Sequence, residues 1–202
     1  MLVFIKLLLI VSALLFIAGS VSVAFVYESQ TLWYKFGNDK IILWAGHVAG
    51  LLGAALIILQ IMLGARGKFL EKYFAVAALM RLHRGNGIVI GCCVVLHVFL
   101  VLLPEGIANL PIGFKHWPEM VGSLLLWLIL AMVIASHFRE RLQLDYRRWR
   151  TVHKIMAYVA PILLFVHVYF VSDSFQQLTP RVALITTFSL LLLWILWNKK
   201  AN

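Results

Sequence analysis

Four histidines carry the chemistry that this sequence can do. His83 and His97 stand fourteen residues apart, and so do His153 and His167. On an α-helix fourteen residues make about 3.9 turns, so the members of each pair share a face and lie roughly 21 Å apart along the axis. A neutral imidazole binds a metal through one ring nitrogen, so burial in lipid does not oppose ligation. If the two helices run parallel, His83 lies level with His153 and His97 with His167. Two facing imidazoles at each of two levels are what two six-coordinate haem irons require. The residues between the ligands agree with this. His83, Gly87 and Gly91 follow i, i+4, i+8, as do His153, Ala157 and Pro161, with Ala160 alongside. Small side chains there leave room for a flat macrocycle, although they also allow plain helix–helix packing. The same fourteen-residue spacing on a second helix favours the haem reading.

The elements that position these histidines are membrane spans. Of 202 residues, 63% are hydrophobic and 13% charged, too little polar surface for a soluble domain. A span needs about 20 apolar residues. Six stretches qualify: Leu2–Tyr27, Ile41–Gly64, Leu82–Leu103, Met120–Phe138, Val152–Val171 and Val182–Trp197. The fold class is therefore an all-α membrane protein, a six-transmembrane-helix bundle. The first stretch resembles a secretory signal near Ala18, Gly19 and Ser20. Its apolar character continues to Tyr27, longer than a signal's apolar region, so it reads as a retained helix. The histidine pairs fall on the third and fifth spans, which one return pass makes parallel.

Charge sets the orientation. Fourteen of the eighteen Lys and Arg residues fall on one side of the membrane, and only Lys35, Lys40, Lys115 and Arg181 on the other. The positive-inside rule then places both termini in the cytoplasm. A net charge of +10 in a soluble chain points to nucleic acid. Here the basic residues occupy short gaps between spans, where they set topology and meet anionic lipid, and no nucleic acid partner is expected. The cytoplasmic connections 65–81 and 139–150 are long enough for short amphipathic helices at the lipid surface.

The remaining ionisable residues refine this picture. All eight acids lie in loops or at span ends, which argues against a carboxylate-based proton pump. Cys92 and Cys93 are adjacent, make no disulfide framework or C-x-x-C-H motif, and read as two buried thiols. His116 and His137 sit near span ends and read as interfacial. His47, between Gly46 and Gly50, divides evenly between packing and a role near the outer haem.

At Arg81-Leu82-His83-Arg84 with His97, and Trp149-Arg150-Thr151-Val152-His153 with His167, the sequence resembles the ferric reductase-like transmembrane domain family. This is the membrane part shared by ferric reductases and NADPH oxidases. The resemblance runs from about Ile41 to Trp197, so residues 1–202 read as a single such domain. It implies that His83, His97, His153 and His167 ligate the irons of two b haems. These carry electrons from cytosolic NAD(P)H and flavin to an external acceptor. Arg81, Arg84 and Arg150 fall where they can meet haem propionates, and equally fit topology signals. Many relatives carry Arg where His47 aligns, so an acceptor-side role of that Arg is not expected here.

Relatives often continue into flavin- and nicotinamide-binding domains. This sequence has no flavin or nicotinamide domain before it stops at Asn202, so a separate cytoplasmic flavin reductase is the expected partner. The chain is expected in the bacterial inner membrane, as the haem-bearing component of an oxidoreductase. Ferric iron, oxygen or a periplasmic protein are candidate acceptors. The last would make it similar to the haem subunit of the periplasmic methionine sulfoxide reductase system. Two alternatives compete: a quinol-linked cytochrome b, and a non-catalytic membrane assembly protein whose histidines merely pack. Pro118-Glu119-Met120 lacks the aromatic continuation of the quinol-site motif, and cytochromes b usually carry their ligands on the second and fourth helices.

Overall fold

A computed structural model describes residues 2–65, 68–106, 110 and 112–201. Those residues are helical throughout, with short connections and no strand. The helices are α1 (Leu2–Val26), α2 (Gly37–Gly64), α3 (Lys68–Tyr73), α4 (Val76–Glu105), α5 (Trp117–His137), α6 (Tyr146–Val171) and α7 (Leu178–Ala201). All but α3 are long and apolar enough to cross a membrane. In lipid every backbone N–H and C=O needs an internal partner, and a helix supplies most of them within the span.

Several helices overrun the apolar stretches that announce them. Residues 76–81 and 146–151 lie ahead of the apolar stretches that begin at Leu82 and Val152, yet they belong to α4 and α6. Two of the ends carry a recognisable cap. The Asp145 carboxylate accepts from the Arg148 backbone N–H at 2.9 Å and starts α6 there. Gly106, at φ 76°, terminates α4 in a conformation that side-chain-bearing residues rarely adopt. Of the two connections expected to form surface helices, the first supplies α3. In the second, residues 139–143 form turns and 146–150 join α6.

Two close helix pairs make the bundle. α2 packs along α4, and α5 along α6, whereas α4 and α6 are not closely packed on each other. Gly46, Ala49 and Gly53 are buried on α2. A Cβ at Gly46 would meet Val101 Cγ2 of α4 at 3.0 Å, and one at Gly53 would meet Cys93 Cβ at 3.5 Å. The four helices meet through an apolar core in which Ile58, Ile90, Leu125, Ile129, Ala160 and Leu164 are buried. α1 lies along α2, where Phe25 meets Trp44 edge-on at 4.9 Å and the Trp44 indole donates to Ala24 O. α7 closes against α6 through Phe165 and Phe188. Cys92 is exposed on the outward face of α4 and Cys93 is half-buried. The expected pair of buried thiols is thus not found, because consecutive helix residues point about 100° apart.

Polar groups fasten the bundle at two places. At the end opposite α3, two 3₁₀ turns (Gln30–Tyr34 and Asp173–Gln176) bury Leu32 and Phe175. Ser29 Oγ joins them by donating to Asp173 at 3.1 Å, and Lys35 pairs with Glu105 at 2.9 Å. Nearer α3, the Asn86 amide of α4 donates to Leu56 O and Gln60 Oε1 of α2, at 3.1 and 2.9 Å. Gln60 Nε2 returns a bond to His83 O at 2.8 Å. Interhelical hydrogen bonds of this kind contribute about 0.6–2 kcal/mol each in a membrane. Asn86→Ala should therefore lower the stability of the detergent-solubilised protein by about 1 kcal/mol or somewhat more. Equilibrium unfolding in sodium dodecyl sulfate measures it, and an unchanged midpoint would remove Gln60 and Asn86 from any part in holding α2 to α4.

Candidate functional site: two imidazole pairs between α4 and α6

α4 and α6 run parallel, and the structure brings their histidines together level by level. The His83 and His153 ring centroids are 6.3 Å apart, and those of His97 and His167 are 6.4 Å apart. The interplanar angles are 69° and 77°. The first pair lies toward the end that carries α3, and the second toward the end with the 3₁₀ turns. All four rings are half-buried. Ile90 of α4 and Ala160 of α6 lie between the two levels in the apolar core.

The second pair is oriented by backbone carbonyls of the flanking helices. His97 Nδ1 is 2.8 Å from Gly46 O on α2, and His167 Nδ1 is 3.1 Å from Pro118 O on α5. A carbonyl only accepts, so Nδ1 donates in both rings and Nε2 keeps its lone pair, the state in which imidazole ligates a metal. Each carbonyl is reached in the same way. Helical side chains tilt toward the N-terminus and cover the preceding turn. Four residues after Gly46 stands Gly50, and four after Pro118 stands Gly122. A Cβ at Gly50 would sit 2.7 Å from His97 Nδ1, and one at Gly122 would overlap the His167 ring. The missing side chain bares the carbonyl and admits the ring.

The first pair is built differently. A Cβ at Gly64 of α2 would lie 3.3 Å from His83 Cε1. His153 has Trp149 one turn before it, stacked at 5.2 Å and 29°, and Tyr146 follows Trp149 at 5.8 Å. The Nδ1 of His153 is buried with no hydrogen-bond partner among the described residues.

The other candidate residues fall into place around these pairs. Arg81, Arg84 and Arg150 are exposed at the end nearer His83 and His153, and make no ion pair among the described residues. His47 is half-buried on α2, next to Gly46 and within electrostatic reach of His97 and Asp173. His116 lies 3.8 Å from Glu119, and His137 packs edge-on against Phe138. Gly87 and Gly91 face the flanking helices rather than α6. Cβ atoms there would meet Gln60 Nε2 of α2 at 3.3 Å and Val133 of α5 at 3.7 Å. Steps of four residues drift about 40° around a helix, so the i+4 and i+8 positions leave the ligand face.

Residues of α2 and α5 complete the site. Gly50 and Gly122 are readable as glycines within apolar spans, and Gln60 and Asn86 as polar residues there. The carbonyls of Gly46 and Pro118 left no trace in side-chain pattern. Glu119, the residue after Pro118, buries Oε2 with no hydrogen-bond partner among the described residues.

The family model for the ferric reductase like transmembrane component matches residues 49–166, more than half of the chain. The chain belongs to this family. The matched segment holds α4 and α5 entire and most of α2 and α6, so this ferric reductase-like domain includes the helices that build the site. It contains His83, His97 and His153 and ends one residue before His167, whose place is given by its pairing with His97. No curated protein sequence matches the chain. Membership makes the protein a membrane component of oxidoreductase type, in agreement with its six spans.

An alanine at Gly122 should displace the His167 ring, and with it any chromophore held between His97 and His167, while sparing the other level. Reduced-minus-oxidised spectra of the purified variant measure this, with Gly91→Ala as the tolerated comparison. Two undiminished spectral components in Gly122→Ala would show that the glycine does not make room for the ring.

Proposed function

We propose that this chain carries electrons across the membrane on two b haems, from a cytoplasmic flavin-dependent reductase to an external acceptor. His83 and His153 hold the inner haem, and His97 and His167 the outer. The observation that carries this reading is the ring spacing. A metal–imidazole bond of about 2 Å, plus about 1.1 Å from nitrogen to ring centre, separates two rings across one shared metal by about 6.2 Å. The two pairs stand at 6.3 and 6.4 Å. Protein-only metal sites such as structural zinc recruit three or four side-chain ligands. Among the described residues no three His, Cys, Asp or Glu side chains gather in this way. Two opposed rings suit a metal whose other four positions come from a macrocycle.

When bound, haem iron supplies a one-electron carrier between ferric and ferrous states. The protein's own residues do the rest. The Gly46 and Pro118 carbonyls fix the outer rings in the ligating tautomer. Ile90, Ala160 and Leu164 exclude water between the levels. The basic end, by the positive-inside rule, faces the cytoplasm together with both termini, as in a bacterial inner membrane. There Lys72, Arg141, Arg147 and Arg148 are exposed, and half-buried Arg139 stands over the Tyr146 ring. They form the surface proposed to receive the reductase, at the end where Lys68 begins α3. Arg66, expected in the same surface, lies outside the described residues.

The purified protein should contain two low-spin haems per chain. His83→Ala and His153→Ala should remove one spectral component, and His97→Ala and His167→Ala the other, as followed by redox titration. One haem or fewer after full reconstitution, or a component shared by His83 and His167, overturns the assignment.

Docking is tested separately. Complementary charge mainly speeds encounter, so reduction by a cytoplasmic flavin reductase should slow as salt rises. Arg147→Glu with Arg148→Glu should slow it several-fold at low salt, with haem content unchanged. An unaltered rate and salt dependence would assign these charges to topology and lipid alone.

A further inference from the structure

We infer that the indole N–H of Trp149 is a carboxylate-binding group of the inner level, donating a hydrogen bond to a propionate of the haem held there. The inference rests on the haem reading above. Trp149 Nε1 is buried and has no hydrogen-bond partner among the described residues. Indole nitrogen only donates, and a buried tryptophan N–H usually finds an acceptor. The ring itself is accounted for, because it stacks on His153 at 5.2 Å and 29°. A phenylalanine would stack as well, so the packing leaves the N–H unexplained.

What the N–H lacks is an acceptor beside His153, at the cytoplasmic edge of the inner level. Haem carries its two anionic acceptors, the propionates, at one edge of its ring. Charged groups in a bilayer are favoured near the interface, and Trp149 lies one turn from His153 toward that interface. Arg81, Arg84 and Arg150 are exposed and offer charge from the solvent side. The buried donor in direct contact with a ligand ring is Trp149. No other histidine of the four has an aromatic residue four positions before it, where Leu79, Cys93 and Leu163 stand. Trp194 also buries an unpartnered N–H, but its ring meets Phe69 rather than a histidine.

A donated hydrogen bond draws negative charge away from the propionate and so disfavours the ferric iron beside it. In the full chain with both haems loaded, Trp149→Phe should lower the midpoint of the inner component and leave the outer one unchanged. The hydrogen-bond-sensitive propionate bending band in resonance Raman spectra should shift with it. An unchanged midpoint and band overturn the inference. So does a midpoint shift with an unmoved propionate band, since altered ring packing alone would produce that.

If Trp149→Phe does not retain the inner haem, the unmutated chain reconstituted with haem dimethyl ester decides. Weaker binding of the ester at the inner level, with the outer level indifferent, supports the inference. Equal binding of ester and haem at the inner level overturns it. Absence of haem from the unmutated protein after reconstitution would instead remove the functional reading beneath it, a result distinct from all of these.

Discussion

Two rings carried on separate helices can share one metal only if the helix backbones stand apart by both side chains plus the metal. α4 and α6 are not closely packed on each other, and their paired rings stand 6.3 and 6.4 Å apart at two levels. Helices that must not close on each other cannot supply one another's packing, so α2 and α5 supply it from the flanks. α2 approaches α4 closely because Gly46 and Gly53 remove side chains at the crossing. α5 does the same for α6 at Gly122 and then fills the middle with Leu125 and Ile129. Lipid tails give helices no hydrophobic reason to associate, so close approach and the Asn86–Gln60 hydrogen bond are what hold α4 to α2.

The same constraint explains why the outer rings are held by backbone and not by side chains. A carboxylate on the donating imidazole nitrogen is the common arrangement in soluble metal sites, but it would place a charge inside the membrane. A helix carbonyl is neutral, already present, and can accept a second hydrogen bond. Its drawback is that the side chain one turn later covers it. Gly50 and Gly122 remove that cover at the two places where His97 and His167 need it. Two unrelated helices thus reach the same local solution, a bared carbonyl followed four residues later by glycine.

How much of this was legible in the sequence follows from which groups carry the information. The spans were legible because bilayer thickness and hydropathy act on side chains, and the histidine levels because fourteen residues return nearly to the same face. Helix ends were misjudged where capping overrode hydropathy, as at Asp145, which begins α6 well before its apolar run. Gly87 and Gly91 were credited with making room on the ligand face. The rotation of about 40° per four residues instead turns them toward α2 and α5. The clamping carbonyls of Gly46 and Pro118 were invisible, since every residue carries a carbonyl and only the fold says which is bared.

These differences make the two levels chemically unequal. The outer rings are each locked by a hydrogen bond on Nδ1, which fixes tautomer and rotation together. At the inner level His153 has no such partner among the described residues, and its plane is set by stacking on Trp149. Stacking fixes a ring's plane less stringently than a hydrogen bond fixes its direction, and it leaves the tautomer unspecified. His153 also stands at the end of an aromatic row whose far member, Tyr146, is exposed among the arginines. The aromatic row thus opens at the basic end, whereas the His97–His167 pair lies toward the end fastened by Lys35–Glu105 and Ser29–Asp173.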